Sequence, residues 1–230
     1  MATTAILIDG AFFIHRFRKI EPHNAHNPQR AADLAYRWAL AHLSEGRADK
    51  NGNSGKRRHE LYRIFFYDCP PLEKKMHNPI TGKAVDFGRS SEATFRKELH
   101  RQLLKRRKVA LRLGHLSPDA SWTIKPEKIT ELLKKQVTFE QLIESDVMPH
   151  VRQKGVDMRI GLDIASLSFK QQVSQIVLLA GDSDFVPAAK LARREGIDFV
   201  LDPMWRSIPP GLVEHIDGLR STCPNPSRPK

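Results

Sequence analysis

The sequence predicts an α/β fold: a mostly parallel sheet covered by helices on both faces. Three observations lead there. Short, wholly apolar runs of strand length recur along the chain, each is halted by an Asp, and segments of helical period lie between them. The first run, Ala5-Ile6-Leu7-Ile8, is too short for a helix and stops at Asp9-Gly10. Leu61 to Tyr67 stops at Asp68, Ile176 to Ala180 at Gly181-Asp182, and Ile197 to Leu201 at Asp202-Pro203.

The helical segments follow in order. From Pro28 to Leu43, the residues Ala31, Leu34, Ala35, Trp38, Ala39 and Leu43 keep the spacing of one helix face. From Ser91 to Lys108 the stripe is Phe95, Leu99 and Leu103, and two short helices are expected over Pro126 to Val137 and Thr138 to Val147. Val156, Ile160, Ile164 and Leu167 mark another. The last runs from Asp184 to Glu195, with Pro187 in its first turn and Gly196 placed to stop it. The polar stretch from Gly46 to His59 is long for a connection in a compact domain and is expected to be mobile. An irregular insert is expected over about 70–125, with Val109 to Leu113 and Ser121 to Ile124 forming a hairpin on the sheet. One domain over 1–222 and a disordered tail over 223–230 complete the expected organisation.

Charge narrows the function. The chain carries 38 Lys+Arg against 26 Asp+Glu, a formal net charge of +12, which attracts polyanions such as nucleic acid. No apolar stretch approaches the ~18–20 residues that span a bilayer. The two cysteines, Cys69 and Cys223, lie far apart without zinc-ligand spacing, so a soluble, cytoplasmic protein with reduced thiols is expected. Neither GxxxxGK[ST] nor GxGxxG occurs, which removes the common nucleotide-binding loops.

In an open parallel sheet, ligands bind outside the carboxyl ends of the strands. That rule brings Asp9, Asp182 and Asp184 towards one crevice. Like charges at a few ångströms raise each other's pKa, a conflict that a divalent cation resolves. Oxygen-only ligands favour Mg²⁺ or Mn²⁺ over zinc. Asp157, at the start of a helix, is a further candidate ligand; Asp163, about 9 Å along the helix axis at ordinary pitch, fits an outer or second-metal role. Each acid also has a plainer reading: Asp9-Gly10 as a turn, Asp184 as a helix cap, Asp157 as a partner of the helix dipole. Asp68 could line the rim, or simply form the turn before Pro70. His23 and His26 lack a fitting third ligand and read as surface residues.

Ile8-Asp9-Gly10, Lys154-Gly155-Val156-Asp157 with Asp163, and Leu179-Ala180-Gly181-Asp182-Ser183-Asp184-Phe185-Val186-Pro187 together resemble the signature blocks of the NYN domain family, the bacterial LabA-like branch of the PIN-like ribonucleases. The resemblance implies a PIN-like three-layer α/β/α sandwich and a Mg²⁺- or Mn²⁺-dependent endoribonuclease. Its catalytic and metal-holding acids would be Asp9, Asp157, Asp182 and Asp184, with Asp163 the matching helix acid. The sequence departs from many members at Phe12, where they have Asn.

The segment Arg96 to Lys108 holds seven Lys+Arg against one Glu. As a phosphate-tracking surface it offers Arg101, Lys105, Arg106, Arg107 and Lys108, joined by Lys56, Arg57 and Arg58; as a solvated helix face it needs no ligand. A haloacid-dehalogenase-type phosphatase would need a second Asp where Ala11 stands. The remaining alternative is a non-catalytic RNA-binding or protein-docking module that keeps the acidic crevice. Self-association and a protein partner are both left open.

Overall fold

The alternation of apolar runs and helical segments becomes a six-stranded, all-parallel sheet in a computed structural model that describes residues 2–48 and 54–227. Its strands are β1 (Thr3–Asp9), β2 (Glu60–Asp68), β3 (Val109–Leu113), β4 (Gln175–Leu179), β5 (Asp198–Asp202) and β6 (Gly218–Leu219). Their spatial order is β6-β5-β4-β1-β2-β3. The chain therefore builds outward from β1 on one side, then returns to start β4 against its other edge, in register from Thr4 opposite Gln175 to Ile8 opposite Leu179. The switch point lies between β1 and β4.

The period-two alternation of the strands sends side chains to two separate cores. On one face Ile6, Ile8, Ile64, Phe66, Val177 and Leu179 pack against α1 (Gly10–Ile20), α2 (Pro28–Ala41) and α3 (Ser91–Leu104). Phe13 of α1 meets both Trp38 of α2 and Phe66 of β2 edge to face. On the other face Ala5, Leu7, Phe65, Tyr67, Ile176 and Leu178 pack against α5 (Val156–Phe169), α6 (Val186–Arg194) and the short α7 (Pro210–Val213). Helix α4 (Pro126–Leu133) buries no residue. The result is a three-layer α/β/α sandwich, consistent with the PIN-like architecture that the resemblance implies. Among the described residues, no helix is long and apolar enough to cross a membrane.

Several expectations need correcting. Helix α1, which the sequence reading did not identify, begins directly at the end of β1. The supposed helix from Thr138 to Val147 is two short 3-10 turns followed by the strand Val147–His150, which pairs antiparallel with Ser121–Ile124. Ser121–Ile124 is therefore no partner of Val109–Leu113, which is instead the parallel edge strand β3 beside β2. The span 70–125 is not irregular throughout, since it contains α3 and β3. In the stretch expected to be mobile, Ser44–Ala48 and Ser54–Arg58 pair antiparallel; its centre, 49–53, lies outside the described residues. Cys223, the first residue of the expected tail, is 5% exposed and packs in the core. Residues 228–230 lie outside the described residues.

Candidate functional site

Asp9 closes β1 and starts α1 in a single step. Its carboxylate accepts the backbone N–H of Phe12 at 3.1 Å, the bond of an N-cap. The abrupt strand-to-helix junction needs Gly10, because a Cβ there would lie 2.5 Å from the Tyr67 carbonyl oxygen of the neighbouring strand. At the end of β4, Gly181 has the same constraint from a different source: a Cβ would lie 2.7 Å from the Phe12 ring. Phe12 is thus a buried side chain roofing Gly181. Beyond it, Asp182 accepts the backbone N–H of Asp184 at 3.2 Å and caps the turn Ser183–Phe185. The capping role considered for Asp184 belongs to Asp182.

Asp9, Ala11, Phe12, His15, Gly181, Asp182, Ser183, Arg206 and Pro209 line a cleft of about 620 Å³ at the switch point. Burial pushes the Asp9 carboxyl up to about 6, with the Asp157 and Asp68 carboxylates adding to the rise and the Phe12 N–H opposing it. Asp157, in the first turn of α5, is likewise raised, by burial first and then by Asp182 and Asp184. Four of the acids singled out in the sequence therefore share one electrostatic neighbourhood. Asp163 stands elsewhere: it accepts the Tyr67 hydroxyl at 2.8 Å and faces Arg112 at 3.3 Å.

Among the described residues, no group of three or more His, Cys, Asp or Glu side chains is placed to hold a metal ion. A hydrated Mg²⁺ does not require one, since it keeps several waters and is commonly held by one or two carboxylates. The donor set fits a hard divalent cation: oxygen ligands only, mutually repelling, with Asp9 already held away from bulk water.

Asp68, at the end of β2, is a fully buried carboxylate held by Arg96 and by His100 Nε2 at 2.8 Å, both from α3. It borders Gly10 and adds to the field at Asp9, but it is not one of the residues lining the cleft that holds Asp9 and Asp182. Sequence reasoning missed His15 and Arg206. His15 was invisible while α1 went unrecognised; Arg206 follows Asp202-Pro203 and could have been found by applying the strand-end rule to β5. His15 is driven down by partial burial and by the positive charges of Lys19, Arg16 and Arg206.

The basic residues proposed for RNA lie at the other end of the sheet. Lys105 to Lys108 fill the turn between the C-terminus of α3 and the start of β3, and the strand holding Lys56, Arg57 and Arg58 leads into the start of β2. Five-residue β3 spans roughly 17 Å at ~3.3 Å per residue, so these segments lead into the amino ends of the strands while the acids stand at the carboxyl ends. Several are engaged: Arg106 pairs with Asp33, Lys108 reaches the Leu61 carbonyl, and Arg101 pairs with Glu98 at 2.8 Å.

The NYN domain model matches residues 96–210, half of the 230-residue chain. The chain belongs to the NYN domain family. The NYN match contains Asp157, Asp163, Asp182 and Asp184, whereas Asp9 is supplied by β1, outside it. NYN domains are nuclease-like and bind RNA in general. No curated protein matches the chain. A crystal structure of a protein of unknown function from Vibrio parahaemolyticus aligns with a TM-score of 0.46 and 13% identity, covering 96% of this chain and 92% of that one.

Proposed function

We propose that this NYN protein is a Mg²⁺- or Mn²⁺-dependent ribonuclease that hydrolyses RNA phosphodiester bonds at the cleft between β1 and β4. The observation that carries the reading is the electrostatic coupling of Asp9, Asp157, Asp182 and Asp184 across three separate elements. Carboxylates crowded this way repel polyanions as well as one another, so an RNA phosphate approaches only when their charge is balanced. When bound, the divalent cation supplies that balance and a Lewis acid for a phosphoryl oxygen. Asp9 and Asp182, facing the cleft, are the residues suited to hold it, with Asp157 and Asp184 completing the negative field. Arg206 places positive charge on the same cleft, where a phosphate oxygen can be received, and the His15 imidazole lines it as a further polar group.

The test is cleavage of RNA by the purified full chain with Mn²⁺ or Mg²⁺, halted by EDTA. Asp182→Asn should abolish cleavage while leaving RNA binding in place. Equal cleavage by both proteins would refute the reading. Salt-sensitive RNA binding without cleavage under any divalent ion would establish a binding module instead.

A further inference from the structure

Directly after β5 the chain makes a turn that its residues do not favour. Met204 and Trp205 both have positive φ, 46° and 64°, and the Arg206 N–H bonds back to the Pro203 carbonyl at 2.8 Å. Two successive left-handed central residues mark the type I′ geometry usually given to Gly, Asn or Asp. The surrounding residues hold it in place. Buried Arg16 of α1 donates to the Met204 carbonyl through Nε at 2.9 Å, and fully buried Asp202 accepts the Met204 N–H at 2.8 Å. Trp205 donates its backbone N–H to Ser221 Oγ and its indole N–H to the Cys223 carbonyl at 2.8 Å.

Strained backbone held this firmly is found where a side chain must be presented in one position. Here two are presented. Arg206 lines the acidic cleft with Asp9 and Asp182, and Trp205 beside it stays 47% exposed although its ring is pinned by the indole bond. An immobilised, half-exposed indole next to a guanidinium suits a nucleotide chain: the ring stacks on a base, which duplex RNA keeps inside its own stack, and the guanidinium takes a phosphate. Helix α1 ties the two functions together, since its first residue follows the Asp9 cap and its Arg16 clamps the turn.

We propose that the Met204-Trp205-Arg206 turn docks single-stranded RNA at the cleft, Arg206 receiving a phosphate and Trp205 stacking on an adjacent base. The proposal rests on the ribonuclease reading for its substrate, but it is tested by binding alone. Fluorescence anisotropy with Ca²⁺ in place of Mg²⁺ or Mn²⁺, a hard cation that balances the carboxylates, would compare labelled single-stranded RNA with a duplex of the same length, for the wild type and for R206A, W205A and W205F. Arg206→Ala should weaken single-strand binding about 5- to 10-fold and flatten the log–log salt slope by about 0.7, the share of one phosphate contact. Trp205→Ala should weaken it about 10-fold with the slope unchanged, Trp205→Phe should keep most of the affinity, and duplex binding should not respond to either Trp205 change. Wild-type affinity in Arg206→Ala overturns the proposal, as does equal weakening of single strand and duplex by Trp205→Ala, or no single-strand binding by the wild type. Arg206 is exposed, so its variant decides the matter even if Trp205→Ala unfolds. Binding effects as expected in a protein that never cleaves RNA would refute the nuclease reading and leave the docking turn standing.

Discussion

Asp9→Asn should make the metal-free protein more stable at neutral pH. The Asp9 carboxyl climbs from an ordinary 3.8 to about 6 in the folded chain, chiefly through burial and then through Asp157 and Asp68. At ~1.4 kcal/mol per pH unit the ceiling is roughly 3 kcal/mol. Asp9 keeps some contact with solvent, which brings the working figure to about 1.5 kcal/mol, or roughly 3–6 °C in Tm for a chain of this size. Asparagine retains the side-chain oxygen that caps α1, so the Phe12 bond survives the change. The sign follows from proton binding: between 3.8 and about 6 the folded state holds the Asp9 proton more tightly than the unfolded state does, so wild-type stability falls as pH rises through that window. The advantage of the variant should therefore be absent below about pH 4 and complete above about pH 7. Thermal melts in EDTA at a series of pH values measure it. A variant less stable than wild type at pH 8, or an advantage independent of pH, would refute the burial argument.

Asp68→Asn removes one of the two carboxylates that hold Arg96, leaving Glu92 at 2.8 Å; a loss of about 1–3 kcal/mol in urea denaturation is expected. Gly181→Ala drives a methyl against the Phe12 ring and should cost about 1–3 kcal/mol, with a double-mutant cycle against Phe12→Leu recovering part of it. Replacing Lys105 and Arg107 together with Ala should weaken binding of long RNA and reduce its salt slope, yet leave unchanged the affinity for an oligonucleotide short enough to occupy only the cleft.

The sheet was legible because each strand buried on both faces is a nearly unbroken apolar run ended by a carboxylate, and the strand-end rule then placed Asp9 beside Asp182 without any contact being visible in the sequence. What stayed hidden depended on non-local pairing or on direction. Helix α1 has a clear apolar face in Phe13, Ile14, Phe17 and Ile20, but it starts on the residue after β1 and offers no loop to announce it. Thr138 to Val147 has helix-like spacing, yet Phe139 and Ile143 are 69% and 61% exposed, so no surface exists to reward a helix there. The two segments expected to form a hairpin each found a distant partner instead. The charge of Arg96 to Lys108 was plain; which end of the sheet it occupies follows only from α3 running antiparallel to the strands.

That direction explains the charges at several helix ends. In a parallel α/β sheet the helix N-termini gather at the carboxyl ends of the strands and the helix C-termini at the amino ends, and the helix dipole favours acids at the first and bases at the second. Glu92 of α3 and Asp157 of α5 occupy first turns, while Arg18 and Lys19 of α1, Arg101 of α3, and Arg193 and Arg194 of α6 occupy last turns. Charges that obey the dipole rule need no ligand to account for them, and a net charge of +12 is weak grounds for a nucleic-acid site by itself. Arg206 breaks the pattern. It brings positive charge to the acidic end, onto the cleft that Asp9 and Asp182 line; burial together with Lys19, Arg16 and Arg206 itself drives the neighbouring His15 towards its neutral form. The dipole gives no reason for that placement, whereas an incoming phosphate does: it pairs with the guanidinium as Arg206 holds it over Asp9 and Asp182.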